Sequence, residues 1–265
     1  MKLLVIGGGN MGHTYALSIK AAMKKMDIAI LEAYPPKVEQ LKAENIFNIY
    51  TNVEAGLKGR DIVMLAVKPQ HSDALFKNMK PYIDPNTLVI SIMAGVKIDT
   101  ISAALDTLKV ARAMPNLPAQ VGKGMTAFCT SPSIDQHESE LIKNILNSTG
   151  VAITVDNEND IDASTGISGS GPAYVFYFMQ AMMQAAEKLG FSTDEAKVLV
   201  TQTFEGAVQL FKKNDLTTME WMNRVASKGG TTRAALDSFE ANNLGTKIIE
   251  GAVAAYDRAV ELGKE

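Results

Sequence analysis

Two short stretches carry the residues able to do chemistry. Residues 166–174 read GISGSGPAY and open a helix; residues 227–236 read SKGGTTRAAL, a turn through two glycines into another helix. Neither stretch offers a His, Asp or Glu as a strong general acid, so the site they form suits a substrate needing little help with its proton. An imine is such a substrate, being more basic than a carbonyl and able to arrive protonated or to take a proton from water. Consecutive backbone N–H groups at Gly229, Gly230, Thr231 and Thr232 are expected to point at one anion, backed by the dipole of the helix beginning at Thr231 or Thr232. That arrangement would cradle a carboxylate. An ordinary interhelical turn with a threonine cap has the same spacing.

The first half of the chain supplies a scaffold for a dinucleotide. Leu3–Ile6 is a continuous apolar run, as in a strand buried on both faces, and leads into GGGNMG with glycines at 7, 9 and 12. In this G-x-G-x-x-G pattern Gly7 permits the tight turn, Gly9 lets backbone approach a pyrophosphate, and Gly12 packs the following helix on the strand, with Asn10 and Met11 at the helix start. A second apolar run, Ile28–Leu31, ends in Glu32, 20 residues after Gly12, where a carboxylate can accept from ribose hydroxyls. Further strands are expected at Ile62–Val67, Leu88–Ile92 and Lys109–Ala111, separated by helices such as Pro36–Glu44 and Ile98–Leu105. This alternation predicts a doubly wound parallel sheet, the α/β class. Ligands collect beyond the carboxyl ends of such strands, which groups Ala66, Val67, Lys68 and Pro69 with Ala94, Gly95 and the AMPNLP run (113–118) in one crevice. Lys68 and Asn116 are its polar members.

From about Glu158 the strand signals stop. Pro172 suits a first helical turn and Gly190 closes that helix; Ser192 with Glu195, and Thr217 with Glu220, read as capping boxes. A last helix is expected over about Thr246–Leu262. Between Ala173 and Ala186 only Gln180 and Gln184 are strongly polar, so that helix should be buried, and a helical half of this size has too few elements to bury it alone. Self-association through this half follows. The boundary expected is a dinucleotide-binding domain over 1–157 and a helical domain over 158–265.

Composition narrows the partners. A net charge of −3 and a pI near 5.7, with scattered lysines, give no basic surface for nucleic acid or anionic membrane. The single Cys129 excludes an internal disulfide framework, no metal-ligand spacing occurs, and no apolar run approaches a spanning helix, which together predict a cytoplasmic protein with a small-molecule substrate and no metal. The start of the chain is expected to lack a secretory signal.

With those residues in hand the chain resembles the pyrroline-5-carboxylate reductase family over essentially its whole length. The stretches that carry the resemblance are GGGNMG, Asn52-Val-Glu, LAVKP, MPNLPAQVGKGMTA, D-A-x-T-G-I-S-G-S-G-P-A-Y and GGTT, in family order. The resemblance implies a Rossmann-type amino-terminal domain that binds NAD(P)H, with Asn52 among its contacts, and an all-α dimerisation domain. It also implies a homodimer, with larger rings of dimers in the family, and reduction of the imine of 1-pyrroline-5-carboxylate to proline. The turn from Ser227 to Thr232 would hold the substrate carboxylate, Ser170 in the GSGP turn would help shape the wall, and the Thr232 hydroxyl would be a positioned proton donor at most. Asn116 is expected on the nicotinamide side of the crevice; Arg224, Glu158 and Asp162 are read as surface or hinge charges.

Three departures stand out. Ala226 and Lys228 occupy positions where the family generally shows Thr and Pro in V-T-S-P-G-G-T-T, and Glu32-Ala33 replaces a small polar residue followed by Arg. With no arginine to meet a 2′-phosphate, NADH is the expected preference. A β-hydroxyacid dehydrogenase reading fits the glycines at 166, 169 and 171 but places Val175 and Met179 where that chemistry needs Lys and Asn. A non-catalytic dinucleotide-binding regulator is the alternative that Ala226 and Lys228 leave open.

Overall fold

A computed structural model describes residues 1–263. Eight strands form one sheet in the order β3-β2-β1-β4-β5-β6-β7-β8. The five central strands are β1 (Lys2–Ile6), β2 (Asp27–Leu31), β4 (Ile62–Leu65), β5 (Leu88–Ser91) and β6 (Val110–Met114). They are buried nearly throughout, which accounts for their continuous apolar runs. Between them run α1 (Asn10–Ala22), α2 (Pro35–Glu44), α3 (Val53–Leu57), α4 (Ser72–Met79) and α5 (Ile98–Leu105). Helices cover both faces, so the core divides into a cluster around Leu3, Val5 and Tyr15 and another around Leu4, Ile6 and Leu65.

The doubly wound expectation holds for the first six strands; the sheet as a whole is mixed. β7 (Gly124–Thr130) runs antiparallel to β6, and β8 (Gly150–Thr154) is parallel to β7. These two strands and the short β3 (Asn48–Tyr50) were not legible, because their apolar residues are interrupted by Gly, Thr and Asn. An intervening helix, α6 (Gln136–Asn147), begins with a capping box from Asp135 and Glu138.

The chain divides into two compact units. One comprises Met1–Ser170 with the segment from Ala254; the other is Gly171–Val253. The first therefore includes α7 (Glu158–Ser164), one π-helical turn at Thr165–Gly169, and the last turns of α12 (Leu244–Leu262). The second contains α8 (Gly171–Lys188), α9 (Thr193–Lys212), α10 (Thr218–Val225), α11 (Thr231–Ala241) and the beginning of α12. Both capping boxes expected from the sequence are made, Ser192 with Glu195 at α9 and Thr217 with Glu220 at α10. α8 and α9 pack through Phe178 and Phe204, edge to face at 5.8 Å. No residue of α8 is buried in the single chain, and Val175, Phe176, Tyr177 and Met182 are exposed. Among the described residues no helix is long and apolar enough to cross a membrane, and no group of side chains could hold a metal ion.

Candidate active site

β1 and β4 lie side by side at the point where the strand order reverses, and the glycine turn leaves β1 there. Gly7 has φ +101°, and a Cβ on it would stand 2.7 Å from the Ala66 carbonyl oxygen, so the turn and the end of β4 touch backbone to backbone. A Cβ on Gly12 would fall 2.0 Å from the Gly7 carbonyl oxygen, which makes glycine obligatory where α1 crosses the turn. Gly9 is the N-cap of α1 and no side chain caps that end. The first amides of α1, at Asn10, Met11 and Gly12, thus remain for an anion.

Beside the turn opens a cavity of about 510 Å³, lined by Gly7, Glu32, Tyr34, Val53, Val67 and His71 among others. The Glu32 carboxylate is held by backbone: one oxygen accepts the Gly8 amide at 2.8 Å, the other the Ala33 and Tyr34 amides at 2.8 and 2.9 Å. Its charge is therefore fixed at the cavity wall. Asn52 caps α3, its side-chain oxygen accepting the Ala55 amide at 2.9 Å. Lys68 is exposed and Pro69 begins a 3-10 turn. Tyr34 and His71 belong to no sequence motif and reach the cavity because they follow the carboxyl ends of β2 and β4. The uncapped helix start, the two obligatory glycines and the adjoining cavity fit a dinucleotide.

Ala94 and Gly95 form the turn after β5, with Gly95 at φ +75°. A Cβ on Gly95 would lie 3.2 Å from the Leu262 carbonyl oxygen, so the end of α12 rests on this turn. That helix, expected wholly within the helical half, contributes its last turns to the first unit.

Asn116, two residues beyond β6, is buried with both ends of its carboxamide engaged. Nδ2 donates to the Ser168 carbonyl at 2.9 Å and Oδ1 accepts the Met125 amide at 2.9 Å. Glu158 and Asp162 are not surface charges. Arg112 of β6, 2% exposed, donates to Glu158 at 3.2 Å and to Asp162 at 2.5 Å, while Glu158 also accepts the Ile98 amide at the start of α5. A buried arginine requires such partners; no local pattern marks them, because Arg112 sits inside an otherwise apolar strand. Cys129, paired with Arg112 in the β6–β7 register, has its thiol pushed up to about 11 by burial, with Glu158 adding to the shift and Arg112 opposing it. It is an inert core thiol.

In the helical unit, the Ser227–Gly230 turn closes with the Gly230 amide donating to the Ser227 carbonyl at 3.0 Å, and Gly229, its third residue, has φ +72°. These are features of a type II turn. They correct the cradle: the Gly230 N–H is used within the turn and is not available to an anion. Gly230 instead caps α11 without any side-chain capping bond, leaving the amides of Thr231, Thr232 and Arg233 as the open donors. A Cβ on Gly230 would meet Ser227 Oγ at 2.5 Å. Thr231 is exposed and Thr232 half-buried. Lys228 takes the turn's second position, where proline is favoured, so the departure from the family pattern removes a rigid φ and leaves the turn in place. Ala226 ends α10, its amide donating to Met222. Ser170 donates its amide to the Thr165 carbonyl at 2.8 Å and closes the π-turn.

The family model for pyrroline-5-carboxylate reductase dimerisation matches residues 158–262. A pyrroline-5-carboxylate reductase of Pseudomonas aeruginosa is 34% identical, the match covering 100% of this chain and 97% of that protein. The chain belongs to the pyrroline-5-carboxylate reductase family. A second reductase of that name, from Corynebacterium melassecola, is 33% identical over 99% of the chain and 98% of its own length. The solved pyrroline-5-carboxylate reductase of Coxiella burnetii superposes with a TM-score of 0.92 at 31% identity, covering 99% of this chain and 98% of that one. The Plasmodium falciparum enzyme, solved with NADP bound, superposes with a TM-score of 0.88 at 29% identity over 99% and 98% of the two chains. Residues 2–95 also match the model described as NADP oxidoreductase, coenzyme F420-dependent. In this reductase-family chain, that match holds the glycine turn, Glu32, Asn52 and the Ala66–Pro69 segment, while the dimerisation match holds the Ser227–Thr232 turn.

Proposed function

We infer that the chain reduces 1-pyrroline-5-carboxylate to proline, the last step of proline biosynthesis. The observation that carries this reading is the coincidence, in a chain matched end to end by reductases of that name, of two uncapped helix starts of different kinds. One, at Asn10–Gly12, follows an obligatory glycine turn beside a cavity and suits a pyrophosphate. The other, at Thr231–Arg233, follows the Ser227–Gly230 turn and suits a small carboxylate.

When bound, the dihydronicotinamide would supply hydride to the imine carbon, while the pyrroline nitrogen, protonated on arrival or by water, would become the amine of proline. The protein's part is orientation and charge placement. Gly7, Gly9, Asn10, Met11 and Gly12 hold the phosphates; Glu32, Asn52, Ala66, Val67, Lys68 and Pro69 line the nucleoside side; Ala94, Gly95 and the end of β6 at Asn116 bound the crevice further along. Within the helical unit, Ser227, Gly229, Thr231 and Thr232 receive the substrate carboxylate and Thr232 supplies a hydroxyl; within the first unit, Ser170 closes the π-turn. With no His, Asp or Glu in either glycine-rich stretch, an imine is favoured over a carbonyl. The exposed apolar residues of α8 support a homodimer, Glu32 supports NADH over NADPH, and the single buried thiol suits a reducing, cytoplasmic setting.

Turnover of 1-pyrroline-5-carboxylate, followed by loss of NADH and NADPH absorbance beside a six-membered imine acid and a 2-oxo acid, tests the reading. No oxidation of either cofactor with the five-membered imine would sink it and leave a dinucleotide-binding regulator.

A further inference from the structure

Two residues of one strand end grip the segment that leads to the GSGP turn. Arg112 lies within β6 and holds α7 through Glu158 and Asp162. Asn116, four residues on, holds the π-turn that follows α7 by donating to the Ser168 carbonyl, and is itself fixed by the Met125 amide of β7. Gly169 closes against the same strand end: a Cβ there would stand 3.4 Å from Met114 Cε. The π-turn also makes its own bonds, Ser168 Oγ to the Ser164 carbonyl and the Ser170 amide to the Thr165 carbonyl. A π-helical turn is a locally costly conformation, kept where the surroundings over-determine it. Here the carboxamide of Asn116 is a cross-link from the sheet into the turn's interior. It is only 9% exposed and each end already meets a backbone group, so burial and these two bonds fix its orientation toward the turn.

We propose that Asn116 is a positioning residue that sets the place of Ser168–Ser170 at the end of β6, and that it does not bind the nicotinamide. The role is defined for the reductase reading above and rests on it. Its consequence is kinetic: the wall of the substrate crevice loses its register while the dinucleotide site, built on β1, β2 and β4, keeps its own.

Asn116→Asp is the sharpest variant, since it keeps the shape and an oxygen for the Met125 amide but sets a second oxygen against the Ser168 carbonyl. Asn116→Ala removes both bonds, and Asn116→Ser, which can serve one partner but not both, covers the case in which Asp does not fold. Expected are a fall in kcat of about tenfold, Asp no better than Ala, and dissociation constants for NADH and for ADP-ribose each within threefold of wild type. Hydrogen exchange at the Ser170 amide should quicken in the same variants. A kcat within threefold of wild type in a folded variant would overturn the proposal, as would unchanged exchange at Ser170. So would NADH binding weakened more than threefold with ADP-ribose binding intact, since that pattern marks a nicotinamide contact. Should the wild type not reduce 1-pyrroline-5-carboxylate, the functional reading fails, and the exchange measurement still decides whether Asn116 holds the turn.

Discussion

The carboxylate of Glu32 accepts the Gly8 amide at 2.8 Å, tying the end of β2 to the glycine turn that leaves β1. With the Ala33 and Tyr34 amides on its other oxygen, the side chain both shapes the turn and holds a negative charge at the cavity wall. The two roles make separable predictions for one substitution. Glu32→Ser should lower stability by about 1–3 kcal/mol, because the Gly8, Ala33 and Tyr34 amides lose a charged acceptor. It should also erase a wild-type preference for NADH of roughly tenfold, set by repulsion of a 2′-phosphate at close range and eroded by salt and the nearby Lys37. Comparing kcat/KM for both cofactors in the two proteins checks this, and a wild-type preference for NADPH contradicts it.

Thr232→Ala should raise KM for the imine and lower kcat, for a combined loss of about 1.5–3 kcal/mol in transition-state stabilisation, with NADH affinity unchanged. Pyrroline kinetics equal to wild type would remove Thr232 from the site.

Lys228→Pro should stabilise the protein by about 0.4–1 kcal/mol, since the second position of a type II turn accepts the fixed φ of proline and the unfolded chain loses freedom. A urea midpoint that falls would show that the turn geometry at Lys228 is not the one inferred from Gly229 and the Ser227–Gly230 bond.

The helical unit should associate. Tyr177 at 81% and Leu189 at 80% exposure are not sustainable on a lone chain together with Phe176, Val198 and Ile249. Light scattering at micromolar concentration is expected to give at least twice the 28.5 kDa chain mass. An active monomer would refute it.

Cys129 should resist alkylation at pH 8 in the folded protein and react promptly on unfolding, because it is 3% exposed and its thiolate is disfavoured. The sign for stability follows from a folded value of about 11 against an ordinary 9.0. Below pH 9 both states hold the proton and the shift has no effect on the pH slope; between about 9 and 11 only the unfolded state releases it, so stability declines as pH rises through that window. Cys129→Ala should flatten that part of the stability profile measured by urea unfolding.

What the sequence determined by itself were the parts whose physics is local. An apolar run flanked by G-x-G-x-x-G identifies a buried strand, a tight turn and a helix start because only glycine tolerates φ +101° at residue 7 and the 2.0 Å approach at residue 12. Ser192 with Glu195 and Thr217 with Glu220 mark helix starts because the capping bonds span three residues. Tertiary structure decided what depends on distant partners. The direction of β7 is set by pairing with β6 and that of β8 by pairing with β7, and nothing in GMTAFCT or GVAIT fixes that choice. Asn116 and Ser168 are 52 residues apart, and Arg112 and Asp162 are 50 apart, so neither bond leaves a local signature. Even the cradle, legible as two glycines and two threonines, had one of its amides reassigned, because only the folded turn shows that the Gly230 N–H already serves the Ser227 carbonyl. Backbone groups are not distinguishable by residue type, and their commitments are settled when the chain closes on itself.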